Sequence, residues 1–233
     1  MGSEIPPSLR EIAHFQGGIV TRKQALSEGL ASGVIISKIR YRRWRQVYHG
    51  VYAMFTGPLS RTAQLWAAVL YAGIGAELSH ETAAESHGIT DRSELIHISI
   101  PSDRRVQPAP GMQIHISVRA GASCSQPYVL PRTSVEDTIL DLVEAAKSLD
   151  DVREWVTAGR RVIGEWALRA AAGKRKKMRW RRQFDEILAG AADVPTQFGL
   201  AKSGLVPPAS APFASTLPAS ILPGSALPGR ALP

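Results

Sequence analysis

The sequence predicts the α+β class, and three observations predict it. Apolar residues recur at helical spacing in several segments. Residues 95–100 and 113–118 alternate strictly: Ile96, Ile98 and Ile100 point one way, as do Ile114, Ile116 and Val118, against His97, Ser99, His115 and Ser117. Earlier in the chain, Trp44, Val47, Tyr48, Val51 and Tyr52 form an aromatic, β-branched run broken at Gly50, the pattern of a two-stranded hairpin. The expected architecture has three parts. Residues 1–57 make a winged helix-turn-helix. Residues 58–192 make a mixed α+β domain with a small antiparallel sheet and C-terminal helices. Residues 193–233 make a disordered tail.

The first helix covers residues 8–16. Ser8 and Glu11 form a capping box, Leu9, Ile12 and Ala13 share a face, and Gly17-Gly18 ends it. Thr21 and Gln24 form a second capping box, for a short helix whose buried side is Ala25 and Leu26. Gly29 ends that helix and permits a tight turn into residues 32–42. There Ile35, Ile36 and Ile39 lie on the inner face. Gly33, Ser37, Arg40 and Tyr41 lie opposite, with Lys38 on the flank. A small, polar, basic face suits a helix in a DNA major groove. Arg42, Arg43, Arg45 and His49, in and beside the hairpin, fall where a phosphate backbone would pass.

Gly57-Pro58 marks a boundary. Ser60 caps an apolar helix carrying Leu65, Trp66, Val69 and Leu70, broken at Gly73 and Gly75. Ser79 caps a helix to His87, ended by Gly88. The link between the alternating segments, SDRRVQPAPGM, is too short for a helical crossover, so the two strands are expected to be antiparallel. Thr133 and Glu136 form a third capping box, followed by Ile139, Leu140 and Val143 on one face. Ser148 caps the next helix with Asp151 at its third position. Helices at 163–172 and 178–191 complete the domain.

The opening segments GGIVTRKQAL, GVIISKIRYRRWRQVYHGVYA and GP resemble the N-terminal winged helix of AbiEi-type antitoxins, from type IV toxin–antitoxin systems. AELSHETAAESHGI, IHISIP and RTSVEDTILDLV resemble the actinobacterial branch of that family. The resemblance covers about residues 8–192, and its motifs are mostly structural. It implies a DNA-binding repressor that acts on the operator of its own operon, the toxin being a neighbour in that operon rather than a contact. Relatives often carry a C-terminal domain like very-short-patch-repair endonucleases, which is not expected here because no acid follows Asp193. Two competing readings are a truncated endonuclease relative and a protein-interaction module with vestigial DNA binding.

Composition agrees with a polyanion partner. The 233-residue chain carries a net charge of +8. Residues 169–182 hold eight basic residues and no acid. Lys174, Arg175, Lys176, Lys177, Arg179, Arg181 and Arg182 are therefore a candidate second basic surface. Cys124 is the lone cysteine, which excludes an intramolecular disulfide and a cysteine-rich zinc site. No secretory signal or apolar span is legible, and a cytoplasmic location is expected. The tail from Val194 holds eight of the 16 prolines and only two charges, Lys202 and Arg230.

Enzyme-like clusters read as structural. Ser79, His80, Glu81, Glu85 and His87 lack zinc-protease spacing. His97 and His115, with Asp103 nearby, read as a solvated sheet face. Glu136, Asp137, Asp141 and Glu144 read as helix-start and polar-face acids. No glycine-rich phosphate loop occurs. The expectation is therefore no catalytic residue, no metal and no cofactor.

Overall fold

The computed structural model describes residues 4–121 and 128–190. Cys124 and the residues read as a tail lie outside them. The fold is α+β. Its first elements are α1 (Pro7–Phe15), β1 (Ile19–Thr21), α2 (Arg22–Ser27), α3 (Ser32–Arg40), β2 (Arg45–Tyr48) and β3 (Val51–Ala53), with the three strands in the order β1-β3-β2. Both strand pairs are antiparallel. Leu9, Ala13, Val20, Ala25, Leu30, Ile35, Trp44 and Tyr52 form the core under the helices.

The Thr21–Gln24 capping box is present in full. The Ser8 box is not: α1 starts one residue earlier on proline, which needs no N–H partner, and has no side-chain cap. The inner faces also differ from the spacing argument. Leu26 and Ile36 are exposed, Ile36 at 58%. Leu30 is buried instead, swung inward by the turn after α2. Val34 and Ile39 pack beside Ile35. These helices are only six and nine residues long, so one buried row each suffices to seat them.

Next come α4 (Arg61–Ala72), β4 (Glu77–Leu78), α5 (His80–Ser86), β5 (Ile96–Pro101) and β6 (Met112–Ser117), and then α6 (Val135–Ala145), α7 (Leu149–Gly173) and α8 (Arg181–Gly190). The second sheet has the order β4-β5-β6. β4 is antiparallel to β5, but β5 and β6 are parallel, with Ile98 opposite Ile114 and Ser99 opposite His115. The expected antiparallel pair is thus corrected, and the sheet is mixed. A helix is not needed for the return. Residues 102–111 can span roughly 33 Å when extended, more than the roughly 20 Å of a six-residue strand. The link runs past the end of α4, where Tyr71 Oη donates to the Gln107 carbonyl at 3.0 Å and Val106 and Ala109 join the core.

On β5, Ile96, Ile98 and Ile100 are buried as the alternation requires, though Ser99 on the other face is buried as well. On β6 it fails: Ile116 is exposed because β6 is an edge strand. Capping of α6 falls to Ser134, whose hydroxyl accepts the Asp137 N–H, rather than to Thr133. Ser148 and Asp151 form a full box on α7. Gly164 breaks α7 into two helical pieces with φ 81°, near where the sequence starts a new helix.

Gly57-Pro58 is a bend in the chain rather than a gap in packing. Ile19, Val51 and Ala53 of the first sheet share one core cluster with Ala63, Trp66 and Ala67 of α4. The described residues belong to one compact unit.

The helical core gives a stability test. A β-carbon on Gly159 would lie 2.9 Å from Ile139 Cγ2 and 3.2 Å from Leu168 Cδ1. Gly159→Val should therefore destabilise by about 1–3 kcal/mol through overpacking. Gly173 has open space around it, and Gly173→Ala should stabilise by about 0.5–1 kcal/mol through helix propensity. Urea denaturation measures both, and a neutral Gly159→Val would contradict the packing described.

Candidate functional site

Four helices end in the same way. In α1, α2, α3 and α5 the second residue past the cap bonds back to the carbonyl five positions earlier: Gly18 N to Ala13 O, Leu30 N to Ala25 O, Arg43 N to Lys38 O, and Ile89 N to Ala84 O. This closure requires a left-handed residue just after the cap, and glycine is the residue that adopts it without strain. Gly17, Gly29 and Gly88 occupy it in α1, α2 and α5. In α3 the residue is Arg42, at φ 53°. An arginine there costs about 1–2 kcal/mol relative to an ordinary conformation. Strain of this kind is retained where the side chain has other work, which singles out the end of α3.

Around Arg42 the surface is basic. Arg40, Tyr41, Arg42, Arg43, Arg45 and His49 are exposed; Ser37 and Lys38 are half-buried. None of these cations forms an ion pair among the described residues. Ile36, whose spacing places it on the inner face, instead lies on the same outward side as Gly33 and Arg40. The β2–β3 turn is short. Its Gly50 carbonyl accepts the Arg22 N–H at 2.8 Å, which holds the turn against the start of α2, and Arg22 Nη2 donates to Ser32 Oγ at 2.5 Å, linking α2 to α3.

The second basic run is different. Arg175 is 7% exposed and its Nη2 donates to Asp137 Oδ1 at 3.0 Å and Asp141 Oδ1 at 2.7 Å, where Arg119 also reaches Asp141. Arg181 pairs with Asp185 and Arg182 with Glu186. Arg179 lies over the Trp180 ring, and its N–H donates to Glu144. Lys174, Lys176 and Lys177 remain exposed. As a contact surface the run is therefore reduced to those lysines and the outer arginines. Arg175 instead holds α6 to the segment after α7. The acids of α6 are its partners.

The cluster at the start of α5 also separates. Glu85 takes a two-toothed ion pair from Arg61, at 2.7 and 2.6 Å. Burial alone would raise its pKa; hydrogen bonds from Arg61 and Ser93 outweigh that and hold it below the usual value. His87 Nε2 donates to the Thr133 carbonyl at 2.8 Å, and burial lowers its pKa. His80 does not join His87. It stacks on His115 with ring centroids 3.8 Å apart, and His97 lies beside both. Burial pushes His80 and His115 down to about 4, each helped by neighbouring histidines, and lowers His97 as well. The sequence pairs His97 with His115 but reads them as a solvated face, whereas the His97 side chain is only 16% exposed; His80 joins them through the parallel pairing of β5 and β6 beside α5, at spacings of 17 and 18 residues that match no metal motif.

No protein-family model matches the chain, and no curated protein matches it. Among solved structures, the crystal structure of the RV2827C protein from Mycobacterium tuberculosis is similar, with a TM-score of 0.52 at 14% identity, covering 80% of this chain and 76% of that one. At that identity the likeness concerns the fold alone. Among the described residues no helix is long and apolar enough to cross a membrane.

The division of labour between the two basic regions can be measured. Arg175→Ala leaves Asp141, 13% exposed at its side chain, without its main partner, and should destabilise by roughly 2–4 kcal/mol, less than a fully buried pair because Asp137 is part-exposed. Lys176→Ala should stay within about 0.5 kcal/mol. Thermal and urea denaturation test this, and equal small effects would show that Arg175 is not structural.

Proposed function

We propose that this chain is a double-stranded-DNA-binding protein, the antitoxin and transcriptional repressor of a type IV toxin–antitoxin operon, acting in the cytoplasm without catalytic activity of its own. The observation that carries DNA binding is the exposed, unpaired basic surface at the end of α3, built around a strained Arg42. The element order α1-β1-α2-α3-β2-β3 supports a winged-helix reading of this region. In it α2 and α3 are the helix-turn-helix, α3 enters the major groove, and the β2–β3 hairpin is a short wing. Unneutralised arginines suit phosphate contact because each displaces condensed cations from the duplex.

Roles divide by position. Arg40 and Ser37 face outward with Tyr41 and Lys38, and read base edges. Ile36 adds an apolar surface suited to a thymine methyl group. Arg42, Arg43, Arg45 and His49 contact phosphates. The AbiEi-like order of segments extends this reading to autoregulation of a toxin operon. The toxin is then reached through DNA, with no direct contact required.

Binding titrations against operator and scrambled duplex, at several salt concentrations, test these roles. Arg40→Ala should cost on the order of 1–3 kcal/mol at the operator and relax preference at one base pair. Arg45→Ala should weaken both duplexes alike and reduce the salt slope by about one. Equal losses on both duplexes for Arg40→Ala would remove α3 as the reading helix.

Arg42 offers a second, opposed pair of readouts. Arg42→Gly relieves the left-handed strain at some entropic cost and should stabilise the fold by about 0.5–1 kcal/mol. The same change should weaken DNA binding and lower the salt slope. A variant that is more stable and binds DNA unchanged would separate Arg42 from the interface.

A further inference from the structure

Three of the chain's six histidines meet at one place, each delivered by a different element. His80 is the first residue of α5, His97 lies in β5 and His115 in β6. The parallel register sets His115 opposite Ser99, two residues beyond His97 on the same face of the sheet. We propose that His80, His97 and His115, with the Glu81 carboxylate as fourth donor, form a binding site for a divalent transition metal of the zinc class. This proposal does not rest on the DNA-binding reading.

Distances support it first. One ligand atom from each histidine lies within 4.8 Å of the others. His97 Nδ1 is 3.0 Å from His115 Nε2 and 3.3 Å from Glu81 Oε2. Tetrahedral zinc with bonds of about 2.0–2.1 Å sets its donors roughly 3.3–3.4 Å apart, so side-chain rotation would bring the three histidines to that spacing, with Glu81 Oε2 completing the set from its place beside His97.

An orphaned acceptor supports it next. Glu81 Oε2 is buried and accepts no hydrogen bond, although His97 Nδ1 is close. A buried carboxylate oxygen without a donor is a group that a cation would satisfy. The backbone adds a further sign. His80 has φ 50°, a left-handed conformation disfavoured for any residue with a β-carbon and retained mainly where the surrounding structure needs it. An outer partner is in place too. Ser79 Oγ is hydrogen-bonded to His80 Nδ1 at 3.1 Å, which leaves Nε2 of that ring for a metal.

Ligand chemistry narrows the ion. Three imidazoles with one carboxylate favour zinc, cobalt or nickel, whereas calcium and magnesium require oxygen-rich shells. Bound there, the ion would tie the start of α5 to β5 and to the edge strand β6.

The test uses the full, untagged chain stripped of metal by chelation. Zinc is titrated in competition with a chromophoric chelator, and Co²⁺ is titrated by visible absorption. The expected result is about one equivalent bound, with the intense bands of four-coordinate Co²⁺, and a rise in Tm with zinc. His97→Gln and His115→Gln should each weaken zinc roughly tenfold or more, Glu81→Gln should weaken it less, and His14→Ala should not. Excess Ca²⁺ or Mg²⁺ should not compete. Circular dichroism checks that each variant is folded, and the Co²⁺ spectrum of the unaltered protein needs no variant. Absence of stoichiometric binding, a six-coordinate Co²⁺ spectrum, or unchanged affinity in folded His97→Gln and His115→Gln would overturn the proposal and leave the trio as a stack of hydrogen-bonded imidazoles.

Discussion

The structure depends on the burial of α4 on two sides at once. Ala63, Trp66 and Ala67 face the first sheet, and Leu65, Ala68, Val69 and Ala72 face the second. An amphipathic helix has one apolar stripe, but α4 is apolar nearly all round, and such a helix must be enclosed. Its alanines let backbones come close: a β-carbon on Gly17 would already lie 3.3 Å from Ala63 Cα. Apolar burial of this kind is the largest favourable term in folding, and here the same twelve-residue helix supplies it to two sheets. The Arg61–Glu85 pair then fixes the start of α4 to the end of α5, which orients His80 and Glu81 at the other end of that short helix toward the strands.

Charge is used in two distinct ways. At the end of α3, cations stand without acidic partners on a surface whose backbone bears local strain. Beyond α7, Arg175, Arg181 and Arg182 pair with acids of α6 and α8, while Lys174, Lys176 and Lys177 stay exposed. Coulomb attraction at about 3 Å in a partly desolvated setting exceeds what solvated cations gain from a distant polyanion, so Arg175 is committed to Asp137 and Asp141. The proposed DNA contact draws only on the first region.

Much of the fold was legible because local signals act within a few residues. Thr21 with Gln24 and Ser148 with Asp151 form their capping boxes, Gly29 makes its turn, and Ile96, Ile98 and Ile100 are buried as their alternation requires. The failures share one cause. Ile36 and Leu26 match a helical stripe but lie outside the part of it that a neighbour covers. Ile116 and Val118 match a buried face but stand exposed, Ile116 on a strand with no partner beyond it. The strand direction of β6 depended on where an extended loop returned, which no residue in the loop encodes.

The sequence by itself determined most helix starts and stops, the hairpin, the α+β class and the excess of positive charge, since these follow from backbone preference, period and composition. Tertiary structure alone decided that Arg175 is paired, because it meets Asp137 and Asp141, more than thirty residues earlier, only after α6 and α7 dock. It alone turned β5 and β6 parallel. It alone gathered His80, His97 and His115, since a site made by three elements has no spacing to read until packing fixes the distance between them.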